Sequence, residues 1–388
     1  MRFWRDLLAE YRAIFTNRVV VLVVVVGSMV YGLLYPMPYL NDVVSEQKLL
    51  IVDEDKSTLS KELIFLVGAT PQIELIAEVP SLKEAQESIE SFQADGVLFI
   101  PQGFESSAYL GVGSVVSYMG NASYFLIYGA IVEGIHNALD ALSQKLHKLH
   151  HPNALSASHI RYEAIPLYNP SLGYINYALA AVLVFILHQT LIGGSAILTA
   201  YQNRLAKESK RASGGSEGLC EAKGALDSKG YSRIARIVLV RICAFSSVYC
   251  VWFLVYFGVL FPYFGVHIHA SMGDFWRFGI VFIACCSACG VLLGALLEDE
   301  SLPTQIIFLS SMPLVFIMGF IWPSELLPSF LRELAYVIPA YHGIRGFVSL
   351  NQMGAEFGDV MGHIWALLGI GVFCVAMSIV VLARRAGQ

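Results

Sequence analysis

Residues 41 to 172 contain no cysteine, although the chain has seven. A domain built there cannot rest on disulfides and must fold through its own apolar core. Charge is scarce throughout: 14% of residues are charged and 56% are hydrophobic, with a mean hydropathy of +0.61. That balance excludes an ordinary soluble chain and indicates an integral membrane protein. No G-x-x-x-x-G-K-[ST] occurs, so any ATP used must be bound by another chain, and no H-E-x-x-H is present to build a zinc protease. The apolar runs read as nearly devoid of charge, which disfavours a pump relaying protons along intramembrane carboxylates. Basic residues are few between residues 41 and 170, with 7 Lys and Arg against 16 Asp and Glu. Neither nucleic acid nor an anionic lipid surface suits that region as a partner.

Long apolar runs are what the chain does have. Six stretches suffice to cross about 30 Å of hydrocarbon, which takes about 20 helical residues. They are 19–40, 174–200, 239–262, 278–297, 303–323 and 364–383. The first lacks an A-x-A site and is preceded by Asp6 and Glu10 among arginines, so it reads as a retained anchor. Arg2, Arg5, Arg12 and Arg18 precede it, a basic loop spans 201–236, and Arg384 and Arg385 follow the last stretch. Six spans with both termini in the cytoplasm satisfy all three clusters. The turn "EDES" at 298–301 must then be cytoplasmic although it has no basic residue of its own.

Residues 41–172 predict an extracytoplasmic α/β domain inserted between the first and second spans. "KLLIVDED" reads as a buried strand, "STLSKELIFLV" as a helix and "IELIAEV" as a strand with Ile73, Leu75, Ala77 and Val79 turned inward. "SLKEAQESIESF" follows as a helix with Ser81 and Glu84 at capping-box spacing and a stripe of Leu82, Ala85, Ile89 and Phe92. "DGVLFIP" and "SVVSYM" supply two more strands, and a long helix runs from Ser123 to about His151. This order predicts a small, mostly parallel sheet.

Several motifs invite chemistry. His147, His150 and His151 have ligand spacing for zinc, nickel or copper, but no carboxylate or cysteine stands near them, and a solvated helix end is the better reading. "VHIHA" at 266–270 is weaker still. Cys286 and Cys289 form a CxxC inside a span, where small residues and the Gly290, Gly294 pair read as helix packing. "GGSEG" at 214–218 matches a nucleophile elbow in letters only and reads as linker. His188 is the one titratable group expected in mid-span, packed and hydrogen-bonded. The N-terminal "RFWRDLLAEYRAIF" has helical spacing of apolar residues with arginines and acids between them, which suits a helix (residues 1–18) lying at the lipid interface.

This order of elements resembles a permease subunit of the type-2 ABC exporter family, in the branch with a large extracytoplasmic insertion. "IVDEDKSTLSKEL", "SLKEAQESIESFQADGVLFIPQGF", "YNPS" at 168–171 and "GFIWPSELLPSFLRELAYVIPAYHGIRGF" at 319–347 carry the likeness. The resemblance implies a permease pair, either two copies or a paralogue, served by separate ATPase subunits that bind ATP and Mg. This chain would then hold no cofactor and catalyse nothing. It further implies export of a hydrophobic or amphipathic compound across a bacterial inner membrane, with membrane lipid and a periplasmic adaptor among the partners. Trp4, Arg5, Tyr11 and Arg12 would meet the ATPase, with Glu208 and Glu217 standing in for an acidic loop segment whose usual pattern is absent. Gly319, Pro323, Glu325, Pro328, Pro339 and Tyr341 would form an external re-entrant motif within 324–345, Pro323 ending the fifth span and Pro339 ending a short interfacial helix. A membrane-anchored scaffold or surface receptor acting through the acidic domain is the competing reading.

Overall fold

The computed structural model describes residues 2–37, 45–90, 93–110, 114–120, 125–150, 175–212, 228–266, 268–321 and 324–387. It divides into two compact units, Asn41–Ile165 on one hand and Met1–Leu40 with Pro166–Gln388 on the other.

The smaller unit is built on β1 (Gln47–Asp53), α3 (Thr58–Gly68), β2 (Ile73–Glu78), α4 (Leu82–Glu90), β3 (Gly96–Ile100), α5 (Phe104–Leu110), β4 (Ser117–Gly120) and α6 (Phe125–His150). The sheet order is β2-β1-β3-β4. The first three strands are parallel and β4 is antiparallel to β3. Alternate residues of β1 feed two cores: Leu49 and Ile51 pack with Leu63, Ile131 and Ile135, while Leu50 and Val52 pack with Ala85 and Val97. A central strand buried on both faces needs such an unbroken apolar run. The expected alternation of β2 fails after Leu75. Leu49 pairs with Leu75 but Leu50 pairs with Ala77, so Ile76 is an extra residue, and Val79 joins the core of Leu50 instead of that of Ile73. One inserted residue flips the face of everything beyond it.

The larger unit is helical: α1 (Arg2–Thr16), α2 (Arg18–Leu34), α7 (Ala180–Ala212), α8 (Ser228–Phe253), α9 (Met272–Leu296), α10 (Ser301–Ile317), α11 (Ser329–Ala335), α12 (Pro339–Asn351) and α13 (Met361–Gly387). Helix α8 continues through π-helical turns at Leu254–Leu260 to Tyr263. Among the described residues four helices are long and apolar enough to cross a membrane, and a fifth is reached if α1 and α2, bent by 78° at their junction, count as one span. Asn17 makes that bend. Its backbone is extended and its side chain accepts the amides of Val19 and Val20, which caps α2 and stops α1.

Six full spans are therefore not what the helices give, because α10 has only 17 residues. At 1.5 Å per residue that is about 25 Å, short of the hydrocarbon thickness. It stops at Ile317 because Gly319 adopts φ +83°, a left-handed turn that other residues resist. This helix thus stops before Pro323, the residue expected to end a fifth span, and Pro323 itself lies outside the described residues. Pro339 is a second correction: it opens α12, occupying the first helical turn where its missing N–H costs nothing, and the helix runs on to Asn351.

Helix α7 is the central stave, packed on α9, α12 and α10. Gly290 and Gly294 let α9 reach its backbone, since a Cβ at Gly290 would lie 2.7 Å from the Ile192 carbonyl oxygen and one at Gly294 2.3 Å from that of Ala196. The helix-packing reading of this pair holds. Phe347 of α12 anchors an aromatic cluster, stacked on Phe257 at 5.4 Å and edge-on to Phe278 at 4.9 Å.

Candidate functional site

One end of the helical unit gathers charged residues from four helices and the turn between α9 and α10. In α1, the i, i+4 series Asp6, Glu10 and Ile14 turns toward the bundle, while Phe3, Trp4, Leu8 and Phe15 are exposed on the other side. This face is strapped to α8 at three heights. Asp6 Oδ2 lies 3.2 Å from Arg236 Nε, Arg241 Nε donates to Glu10 Oε1 at 2.5 Å, and Tyr11 shares a hydrogen bond with Ser247.

Arg241 is the hub. Its remaining nitrogens donate to Thr199 Oγ1 at 3.0 Å and to Gln202 Oε1, so one guanidinium joins α1, α7 and α8. It is 3% exposed and Glu10 is 9% exposed. Removing two ions from water is costly, and here the cost is offset by their mutual attraction and by neutral acceptors on the remaining N–H groups. Such a joint is rigid in direction because the guanidinium fork fixes where each partner must stand.

A second layer closes the same end. Lys207 Nζ lies 2.6 Å from Glu298 Oε2 and Arg204 Nη1 lies 3.0 Å from Glu300 Oε1, which ties α7 to the turn between α9 and α10. The last carbonyls of α9 are taken by Arg385 of α13, at 3.1 Å to Leu297 O and 2.8 Å to Leu296 O, and by Asn203, at 3.1 Å to Gly294 O. The acidic "EDES" turn thus borrows its cations from other helices.

Of the residues expected to couple, Tyr11 joins the straps. Trp4 is 69% exposed, and Arg5 and Arg12 are also exposed. Glu208 is exposed and faces Arg204 Nε at 3.6 Å, one turn away. Glu217 lies outside the described residues. The structure adds Asp6, Glu10, Thr199, Gln202, Arg236 and Arg241. Arg241 carried a legible signal, a lone arginine within the stretch 239–262, and Asp6 and Glu10 have i, i+4 spacing.

The 319–347 motif is spread over several short elements. Pro328 is the residue before α11, Pro339 starts α12, and Tyr341 is buried against Tyr336 with ring centres 4.9 Å apart. Arg345 sits 5.0 Å over the Tyr341 ring and donates to Ser324, beside the turn at Gly319. The side chain of Glu325 lies outside the described residues, as do those of His147 and His150 and the whole of His151.

His188 is packed, stacked on Phe185 at 6.1 Å, but neither ring nitrogen makes a hydrogen bond among the described residues. Cys289 Sγ lies 3.5 Å from Cys374 Sγ, so the CxxC faces another helix. In the smaller unit the "VDED" turn is a clasp. Asp53 accepts the amides of Asp55 and Lys56 and the Ser60 hydroxyl, and Asp55 accepts the amides of Gly103 and Glu105. The Ser57 hydroxyl, with the Glu105 and Gly103 amides, holds the Asp55 carboxyl below its ordinary range.

A bent N-terminal helix strapped to a helical bundle, with no nucleotide motif in the chain, fits the membrane component of a transporter. The sequence model described as ABC-2 family transporter protein matches residues 18–380. The chain belongs to the ABC-2 transporter family. No curated protein matches it. Family membership makes it a multi-pass ABC transporter permease, a membrane subunit that works with an ABC ATPase.

Proposed function

We propose that this chain is the permease of an exporter that moves a hydrophobic or amphipathic compound out of the cytoplasm or inner membrane of a bacterium. Two copies, or this chain and a paralogue, pair and receive ATPase subunits at the end where Arg241 sits. The single observation carrying this is the Arg241 hub, through which a push on α1 reaches α7 and α8 together. The common placement of the "EDES" turn, Arg204, Lys207 and Arg385 supports a cytoplasmic assignment for that end, because basic residues are retained inside. On that assignment α1 lies at the inner lipid interface, α2 adds a fifth crossing, the short α10 adds a sixth across a locally thinned bilayer, and residues 41–172 stand outside. Trp4, Arg5, Tyr11 and Arg12 then offer the ATPase contact, and α11 and α12 form the outer rim of the exit path. Family membership favours this reading over an anchored scaffold.

The test is co-expression with a P-loop ATPase encoded beside it. Co-purification, ATP hydrolysis stimulated by amphipathic compounds, and loss of export when the ATPase loses its catalytic carboxylate are the expected results. A stable monomer whose function survives that loss would overturn the proposal.

A further inference from the structure

Helices α11, α12 and α13 meet at two imidazoles. His342 Nδ1 lies 3.0 Å from His363 Nδ1, and His342 Nε2 lies 2.9 Å from the Tyr336 carbonyl oxygen. A carbonyl only accepts, so His342 Nε2 carries a proton. In the neutral ring Nδ1 is then a bare lone pair, and the proton between the rings belongs to His363 Nδ1. Tyr336 caps the end of α11, and His363 is in the first turn of α13. Two bonds through a 5% exposed ring therefore tie three elements together.

Among the described residues no carboxylate forms an ion pair with either ring. Among the described residues, the titratable and charged groups near the pair are Tyr336 from α11 and Tyr341 and Arg345 from α12. Tyr341 lies 5.4 Å from His342 and 6.5 Å from His363, centre to centre, and the charge of Arg345 reaches His363. Two imidazoles beside a guanidinium make a poor metal site, since no anionic ligand completes it. They are well suited to counting protons.

We propose that His342 and His363 form a latch that holds α12 to α13 while one proton lies between their Nδ1 atoms and lets go when both Nδ1 atoms are protonated. The first added proton goes to His363 Nε2, which makes His363 a cationic donor and tightens the bond. The second must enter His342 Nδ1, placing two N–H groups face to face beside Arg345. An unperturbed imidazole titrates near pH 6.5; burial holds His342 below that range, and its second proton enters beside a cationic His363, so release falls on the acid side of it. The bond's contribution is present at neutral pH and is lost on acidification, because the opened state binds the extra proton. The latch rests on side-chain geometry; its meaning, a mouth that loosens in acid, rests on the exporter reading.

Hydrogen–deuterium exchange of the purified full chain in lipid nanodiscs tests it. His363→Gln can donate to His342 Nδ1 or accept from it, so it should match the wild type at pH 7.5. At pH 4.5 the wild type should exchange about tenfold faster than the variant across residues 334–350. Equal exchange at pH 4.5 overturns the latch. If the variant does not fold, wild-type exchange of 334–350 relative to 278–290 decides: the ratio must rise between pH 6.5 and 4.5, and a constant ratio overturns the latch without touching the transport reading.

Discussion

Neutralising either side of the Arg241 hub should destabilise the bundle far more than neutralising both. Glu10→Gln keeps an acceptor for Arg241 Nε but leaves an almost fully buried guanidinium without its counter-charge. Breaking a buried pair from one side costs about 3–5 kcal/mol. Thr199 and Gln202 still hold the guanidinium in this variant, so a loss of about 2–3 kcal/mol is expected. Arg241→Met strands three acceptors, one of them a buried carboxylate, and should cost the full 3–5 kcal/mol, approximately. Combining Glu10→Gln with Arg241→Met removes both charges together and should cost less than about 2 kcal/mol. The coupling energy is then at least about 3 kcal/mol, measurable by detergent-induced unfolding of the four purified proteins followed by tryptophan fluorescence. In complex with the ATPase, either single variant should hydrolyse ATP while transporting little. Additivity within about 0.5 kcal/mol would show that the two residues do not share one joint and would remove the basis for the coupling argument.

Gly290→Ala should destabilise the chain by about 1–3 kcal/mol by forcing α9 off α7. Pairing it with Ser195→Ala should restore only part, because the Ile192 carbonyl is also in the way at 2.7 Å; full restoration in a thermal scan would contradict the packing described. Asp55→Asn should cost about 1 kcal/mol at pH 7 by weakening its bonds to the Gly103 and Glu105 amides. The Asp55 carboxyl lies below its ordinary range, so its contribution is present above about pH 4 and fades as pH falls through its folded value. Exchange of the 103–105 amides should then respond to acid in the wild type and not in the variant. Lys207→Glu and Glu298→Lys should each shift stability by no more than about 1 kcal/mol, with recovery in the swapped pair, since both side chains are half exposed or more.

The smaller unit was the more legible in sequence because each of its elements advertises its own period. "KLLIVDED" became β1, and the predicted cap is present, with the Glu84 N–H donating to Ser81 Oγ at 3.4 Å. The bulge at Ile76 was not readable, since the apolar alternation continues through it and only the pairing partner reveals the extra residue. In the helical unit the runs were visible but their ends were not. A window long enough to find a span averages over the single residue that ends it, and Gly319 stops α10 by its φ, not by its hydropathy. Arg241 was visible as one charge among apolar neighbours, but its partners were not. The joint was further obscured because Glu10 and Arg241 are 231 positions apart and neither implies the other until α1 folds back.

That fold-back also decides how motion can travel. Helix α1 is joined to α2 through the single residue Asn17, whose capping bonds belong to α2, so the junction can bend without breaking either helix. To α8 it is joined by Asp6, Glu10 and Tyr11 over more than one helical turn, which fixes both its position and its rotation. A force on the exposed face of α1 therefore moves α8 before it moves α2. Because the Arg241 guanidinium also grips Thr199 and Gln202, α7 must follow, and α7 is the helix on which α9, α10 and α12 pack. On the proposed function, a displacement at the hub reaches the central stave and with it α12, one of its neighbours and the helix of His342. A hinge of one residue beside a joint of three contacts is the physical reason to place coupling at Arg241 and not at the more conspicuous Trp4.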